Sequence, residues 1–253
     1  MKIVLSVGGS VLVRDLSPEK FQGYAEALKQ ISKENTVFVV TGGGKAARDY
    51  ISAARALGAD EATCDLIGID VTRLNARLLI SALGEDAYFE PPLNYRDAKI
   101  AGFTGKIVVM GGVIPGQTTD AVSAILAEYT GADVLINATS TDGVYTSDPR
   151  KNRDAKKFET MTPRELVEIV NRTEMIAGAN SPVDLLAAKI IERSSIRTIV
   201  LNGDDPENIV KAVKGRHTGT IIDKEKKIKE TDKDYSGKET CNLGYFSDKS
   251  CDY

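Results

Sequence analysis

Histidine and cysteine are scarce in this chain, and the scarcity removes whole classes of chemistry. His217 is the one histidine, which argues against histidine-based triads and histidine-rich metal sites. The three cysteines, Cys64, Cys241 and Cys251, form no CxxC pair or zinc spacing. Such sparse thiols fit a reducing, cytoplasmic setting. No apolar run reaches the ~18 residues a membrane span needs, and no signal peptide precedes the first strand-like segment. The formal net charge of −3 argues against nucleic acid as a partner. Neither GxxxxGK[ST] nor GxGxxG occurs, so any phosphate site here is not built on the P-loop or dinucleotide pattern. Internal repeats are also missing.

What is present is a phrase written three times. Ile3-Val4-Leu5-Ser6-Val7 runs into Gly8-Gly9-Ser10. Thr36-Val37-Phe38-Val39-Val40-Thr41 runs into Gly42-Gly43-Gly44-Lys45. Ile107-Val108-Val109-Met110 runs into Gly111-Gly112, followed by Pro115-Gly116-Gln117-Thr118-Thr119-Asp120. Each begins as an apolar run without polar alternation, as suits a strand covered on both faces. Each breaks into glycine, which lets bare amides approach a ligand. A helix start after such a loop adds unpaired N–H groups and positive dipole, a seat for an anion. If the three strands are parallel neighbours, all three loops lie along one sheet edge, where open α/β sheets bind ligands.

The spacing between these phrases predicts helices: one after the cap Ser17-Pro18-Glu19, one over Lys45–Leu57, and a long one over Glu61–Leu83. In the long helix Ile67, Val71, Leu74 and Leu78 make one stripe, with Leu66, Ile69, Arg73 and Arg77 around it. Thr162-Pro163-Arg164-Glu165 is a capping box, and Ser181-Pro182 reads as the cap of a further helix. Strands are expected over 133–138, 198–201 and 219–222. With 253 residues, 42% of them hydrophobic, the chain can bury one large α/β domain or two intimate lobes. The alternation predicts a three-layer α/β/α sandwich around a largely parallel sheet. From Asp223 to Tyr253 the composition turns charged and apolar residues become few, so this stretch is expected to be a disordered tail.

These residues resemble the amino-acid kinase superfamily, and within it the archaeal-type uridylate (UMP) kinases. The likeness is carried by Gly8-Gly9-Ser10, Gly42-Gly43-Gly44-Lys45, Pro115 to Ala121, Asp142-Gly143-Val144-Tyr145 with Asp148-Pro149, and the stretches around Asp65-Leu66-Ile67-Gly68 and Asp184-Leu185-Leu186. It covers about residues 1–222 as a single domain. The resemblance implies transfer of the γ-phosphoryl group of ATP to UMP with Mg²⁺, a step of pyrimidine nucleotide biosynthesis, by a homohexamer. It implies an acceptor lobe over about 1–130 and a donor lobe over about 131–222. By position, Gly43, Asp65 and the loop Ile114, Pro115, Gly116, Gln117, Thr118, Thr119 and Asp120 would hold UMP. Gly9, Ser10, Gly44 and Arg48 would meet the ATP phosphates, with Thr139, Ser140, Tyr145 and Asp148 around the adenosine. Asp120 matches the aspartate that organises the transfer centre, and Lys45 is the best-placed lysine for catalysis.

One departure stands out. Many superfamily members carry a lysine two residues before the first glycine pair, where this chain has Ser6. That leaves Lys45, Arg48, Lys189 and Mg²⁺ as sources of positive charge. It also keeps open a non-catalytic nucleotide-binding or storage protein, or a kinase of another small phosphate or carboxylate acceptor.

Overall fold

The computed structural model describes residues 1–174 and 183–224. Seven strands form one sheet: β1 (Lys2–Val7), β2 (Thr36–Thr41), β3 (Val108–Met110), β4 (Val134–Thr139), β5 (Thr160–Met161), β6 (Thr198–Asn202) and β7 (Thr220–Ile222). Their order is β3-β2-β1-β4-β6-β7-β5. The first five in that order run parallel, β7 is antiparallel to β6, and β5 is parallel to β7. The three strands of the repeated phrase are therefore parallel neighbours, and their glycine loops do share one edge. β5, two residues long, has no sequence signal strong enough to read.

The described helices are α1 (Gly9–Leu12), α2 (Pro18–Ser32), α3 (Gly44–Ala56), α4 (Glu61–Leu83), α5 (Tyr95–Gly102), α6 (Thr119–Thr130), α7 (Pro163–Glu174), α8 (Leu185–Ser194) and α9 (Glu207–Val213). Alternate strand residues part into two cores. Ile3, Leu5, Val7, Val37, Val39 and Ile136 pack with α1, α2, α4 and α9. Val4, Phe38, Val40, Val108, Met110 and Leu135 pack with α5, α6, α7 and α8. This is the three-layer sandwich, and it explains why the strands read as unbroken apolar runs: both faces are dry.

α4 departs from its expected stripe. Leu74 and Leu78 are 59% and 45% exposed. The face turned inward carries Gly68, Thr72, Asn75, Ala76, Leu79 and Leu83. The helix is apolar on two sides: Val71 of the expected stripe is buried and Ile67 partly so, but Leu74 and Leu78 fall on the outer side. The cap of α8 also differs: Asp184 accepts from the Ala187 amide at 3.0 Å, while Ser181 and Pro182 lie outside the described residues. So does the tail from residue 225 onward, together with Cys241 and Cys251. Among the described residues no helix is long and apolar enough to cross a membrane.

Candidate active site

The chain leaves β1 outward to β2 and β3, then returns to β4 on β1's other flank. The sheet's switch point thus lies between β1 and β4, where an open α/β sheet forms its ligand crevice. A cleft of about 560 Å³ lies there, lined by Gly8 and Ser10 after β1, Thr139 at the end of β4 with Ser140 and Thr141 after it, Arg48 of α3, and Thr119 and Asp120 of α6. Tyr145, Asp148 and Arg150 complete its far wall.

Glycine draws the first two loops together. A Cβ on Gly9 would lie 2.0 Å from the Gly44 nitrogen and 2.8 Å from the Gly42 carbonyl carbon. Gly44 also sits at φ +66°, in the left-handed region that glycine enters without strain. Gly9 and Gly44 therefore pack against each other rather than lining the cleft, while Gly8, Ser10 and Arg48 face it. α4 fastens the loops from beneath. Asn75 Nδ2 donates to the Gly42 carbonyl at 2.8 Å, and Thr72 Oγ1 accepts from the Gly112 amide at 2.7 Å. Thr41 Oγ1 donates to the Thr72 carbonyl at 2.9 Å.

At the floor sits Asp120, in the first turn of α6. Ser6 Oγ donates to its Oδ1 at 3.0 Å. Asn137, in register with Ser6 across β1 and β4, also bonds the carboxyl. Burial and then the neighbouring charge of Asp184 push the Asp120 carboxyl up to about 7, against the opposing pull of the Ser6 and Asn137 hydrogen bonds. Ser6 thus occupies the lysine's place as a buried neutral donor to this carboxylate.

The far wall of the cleft is itself braced. Tyr145 OH donates to Asp142 Oδ1 at 2.6 Å. Lys157 Nζ donates to Asp142 Oδ2 at 2.9 Å and to the Thr218 carbonyl at 3.0 Å. Burial opposes ionisation of Asp148, but hydrogen bonds from the Arg150 amide and guanidinium hold its carboxyl below the usual range. Its side chain is only 6% exposed.

On the other flank the Gly116 amide donates to Asp65 Oδ2 at 2.8 Å, and Tyr95 OH donates to Gln117 Oε1 at 2.7 Å. Asp65 on α4 and the loop 114–118 therefore meet, and that loop runs directly into Thr119 and Asp120 at the cleft. Ile114 is half exposed, and Gly43 lies beside Ala47 and Thr72. The structure does not bring Lys45 or Lys189 to the cleft. Lys45 Nζ pairs with Asp49 at 2.5 Å on the exposed side of α3, and Lys189 pairs with Glu192 at 3.1 Å. Arg48, one turn beyond Lys45, is the basic side chain that reaches in from α3. Arg73 turns to the Gly112 carbonyl at 3.3 Å.

A model of the amino acid kinase family matches residues 1–202. The chain belongs to the amino acid kinase family. It is 61% identical to the uridylate kinase of Methanococcoides burtonii over 213 residues, 84% of this chain and 91% of that one. It is 60% identical to the uridylate kinase of Methanosarcina mazei, over 85% and 92% of the two chains. The crystal structure of uridylate kinase from Archaeoglobus fulgidus superposes with a TM-score of 0.81 at 52% identity, over 88% of this chain and all of that one. The family resemblance read from the glycine loops holds, and so does the family's layered fold.

Motif reading missed Asn137, which lines the cleft, and gave no role to Thr72 and Asn75, which hold the loops, or to Asp142, which braces Tyr145. One of them had a visible mark. Asn137 interrupts the apolar run of β4 as Ser6 interrupts β1, and a polar residue inside a doubly covered strand requires a buried partner.

Proposed function

We propose that this chain is a uridylate kinase, moving the γ-phosphoryl group of ATP to UMP to give UDP and ADP. The observation that carries this reading is that Asp120 is shared. It ends the loop tied to Asp65 on one flank and floors the cleft walled by Thr139, Tyr145 and Asp148 on the other. Two nucleotides held on these flanks would point their phosphates at each other across Asp120. The half before Gly131 supplies most acceptor contacts, and the half after it holds the adenosine. Gly43, Asp65 and residues 114–120 are assigned to UMP; Ser10, Arg48, Thr139, Ser140, Tyr145 and Asp148 to ATP, with Gly9 and Gly44 shaping its loop.

The chemistry asks little of side chains. An oxygen of the acceptor phosphate, already anionic, attacks the γ-phosphorus while the bond to the ADP oxygen breaks, so no general base is required. The protein's task is to align the two groups and to balance charge in a site shielded from water. Arg48 supplies a fixed cation, and Ser6 and Asn137 hold the Asp120 carboxyl against the reacting groups. Tyr145, tethered to Asp142, offers a ring face for the base.

Mg²⁺ fits as a cation carried in on the ATP phosphates. No cluster of three or more His, Cys, Asp or Glu able to cage a metal is found among the described residues, and Mg²⁺ is commonly held by substrate phosphates and water. When bound it would neutralise charge on the phosphate oxygens. We assign the active form as a cytoplasmic homohexamer; the second apolar face of α4, with Leu66, Leu74 and Leu78 exposed, supplies surface for such contacts.

Steady-state assays with ATP, Mg²⁺ and a panel of acceptors test the assignment: UMP, CMP, acetylglutamate, aspartate and carbamate. UMP should give the highest kcat/KM. A higher value with any other acceptor overturns the substrate.

A further inference from the structure

Two helix starts converge beside Asp120, and one side chain joins them. Thr118 Oγ1 accepts from the Ala121 amide at 3.1 Å and so caps α6. Asp184 Oδ1 accepts from the Ala187 amide at 3.0 Å and so caps α8. The Thr118 hydroxyl also donates to the other oxygen of Asp184. Each cap thus spends one valence on its own helix and the remaining one on its neighbour. The link spans 66 residues and joins the acceptor loop to the donor half of the chain. Asp120 lies two residues beyond Thr118.

We propose that Asp184 is a positioning residue: through Thr118 it clasps the start of α6 to the start of α8, and so sets Asp120 against the transferring phosphoryl group. This rests on the phosphoryl-transfer reading above. The elements packed on α6 are β1, β2, β4, α5 and α8. β1 and β4 present Ser6 and Asn137 to Asp120, β2 holds no titratable residue, and α5 turns Lys99 to the Tyr129 carbonyl at the far end of α6. The charge that bears on Asp120 from these elements is Asp184, while Arg48 of α3 lines the same cleft. The clasp therefore acts in two ways, by geometry through Thr118 and by charge through space. A carboxylate held beside Asp120 favours its protonated form.

The test uses D184N, with D184S as a second variant should D184N fold poorly, and T118V. Asparagine and serine cap helices about as well as aspartate, so α8 keeps its start while the charge is lost. In both Asp184 variants kcat should fall about 10-fold with the KM for ATP little changed, as misplacement of a reacting group predicts. The acid–base limb of the kcat profile should move to lower pH. T118V should lower kcat similarly, and the T118V/D184N double variant should lose no more than the worse single one, as residues acting as one unit do. A kcat and pH profile superimposable on the unaltered protein's, or losses that add fully in the double variant, would overturn the clasp. A substrate-free readout separates this from the function itself. The drop in melting temperature between about pH 5 and pH 8 should shrink in D184N; an unchanged drop refutes the charge coupling even if UMP proves not to be the acceptor.

Discussion

Replacing Asp120 with asparagine removes one charge and keeps the shape of the side chain. In the folded chain this carboxyl is pushed from 3.8 up to about 7, first by burial and then by Asp184. Between those two values the folded chain holds a proton that the unfolded chain has released. The contribution of Asp120 to stability is therefore greatest below about pH 4 and declines as pH rises towards 7, where the folded chain must also ionise. At about 1.36 kcal/mol per pK unit, the rise amounts to roughly 4 kcal/mol once the pH is above 7. D120N removes that cost. It should raise stability by up to about 4 kcal/mol at pH 8 and by less than half of this at pH 5. Urea unfolding at one protein concentration, at the two pH values, measures the difference. The same substitution should lower kcat at least about 10-fold, since it alters charge where the phosphoryl group moves. A stabilisation equal at both pH values, or a loss at pH 8, would refute the account of Asp120 as a carboxyl ionised at a cost within the fold.

Other outcomes follow from the same geometry. D65A removes the acceptor of the Gly116 amide and the proposed ribose contact. Loss of a hydrogen bond to a charged group, about 1.5–3 kcal/mol, should raise the KM for UMP about 10- to 100-fold in steady-state kinetics, and an unchanged KM would remove Asp65 from the acceptor site. S6A deletes a donor that favours the ionised carboxylate, so the acid–base limb of the kcat profile should move to higher pH, opposite to D184N; no movement would dissociate Ser6 from Asp120. G9A places a methyl 2.0 Å from the Gly44 nitrogen, a backbone clash that no rotamer relieves, and should lower the melting temperature sharply and abolish ATP binding, whereas wild-type melting would contradict the back-to-back loops. Truncation after Lys224 should leave kcat intact, because every assigned residue lies before it.

Much of the architecture was legible because the strands obey one rule. Runs such as Val37-Phe38-Val39-Val40 have no polar face, which demands helices on both sides, and the glycines after them mark the sheet's ligand edge. What was not legible depends on long-range register. Ser6 and Asn137 are 131 residues apart in sequence and become neighbours only once β1 pairs with β4. α4 could not be oriented, because its two apolar faces compete and only the sheet decides which is buried. Lys45 looked better placed than Arg48 because it opens the helix, yet the i to i+4 spacing hands it to Asp49, and one further turn of α3 carries Arg48 to the cleft. The missing lysine at position 6 takes on meaning from the same pairing. A lysine there would offer Asp120 a full positive charge and hold it ionised. Serine offers only a hydroxyl, so burial and Asp184 prevail, and the carboxyl at the centre of the site is left able to change its proton near neutral pH. The departure from the family pattern is thus not a gap that another cation must fill at the same place. It changes the electrostatics of the aspartate that the lysine would otherwise have held.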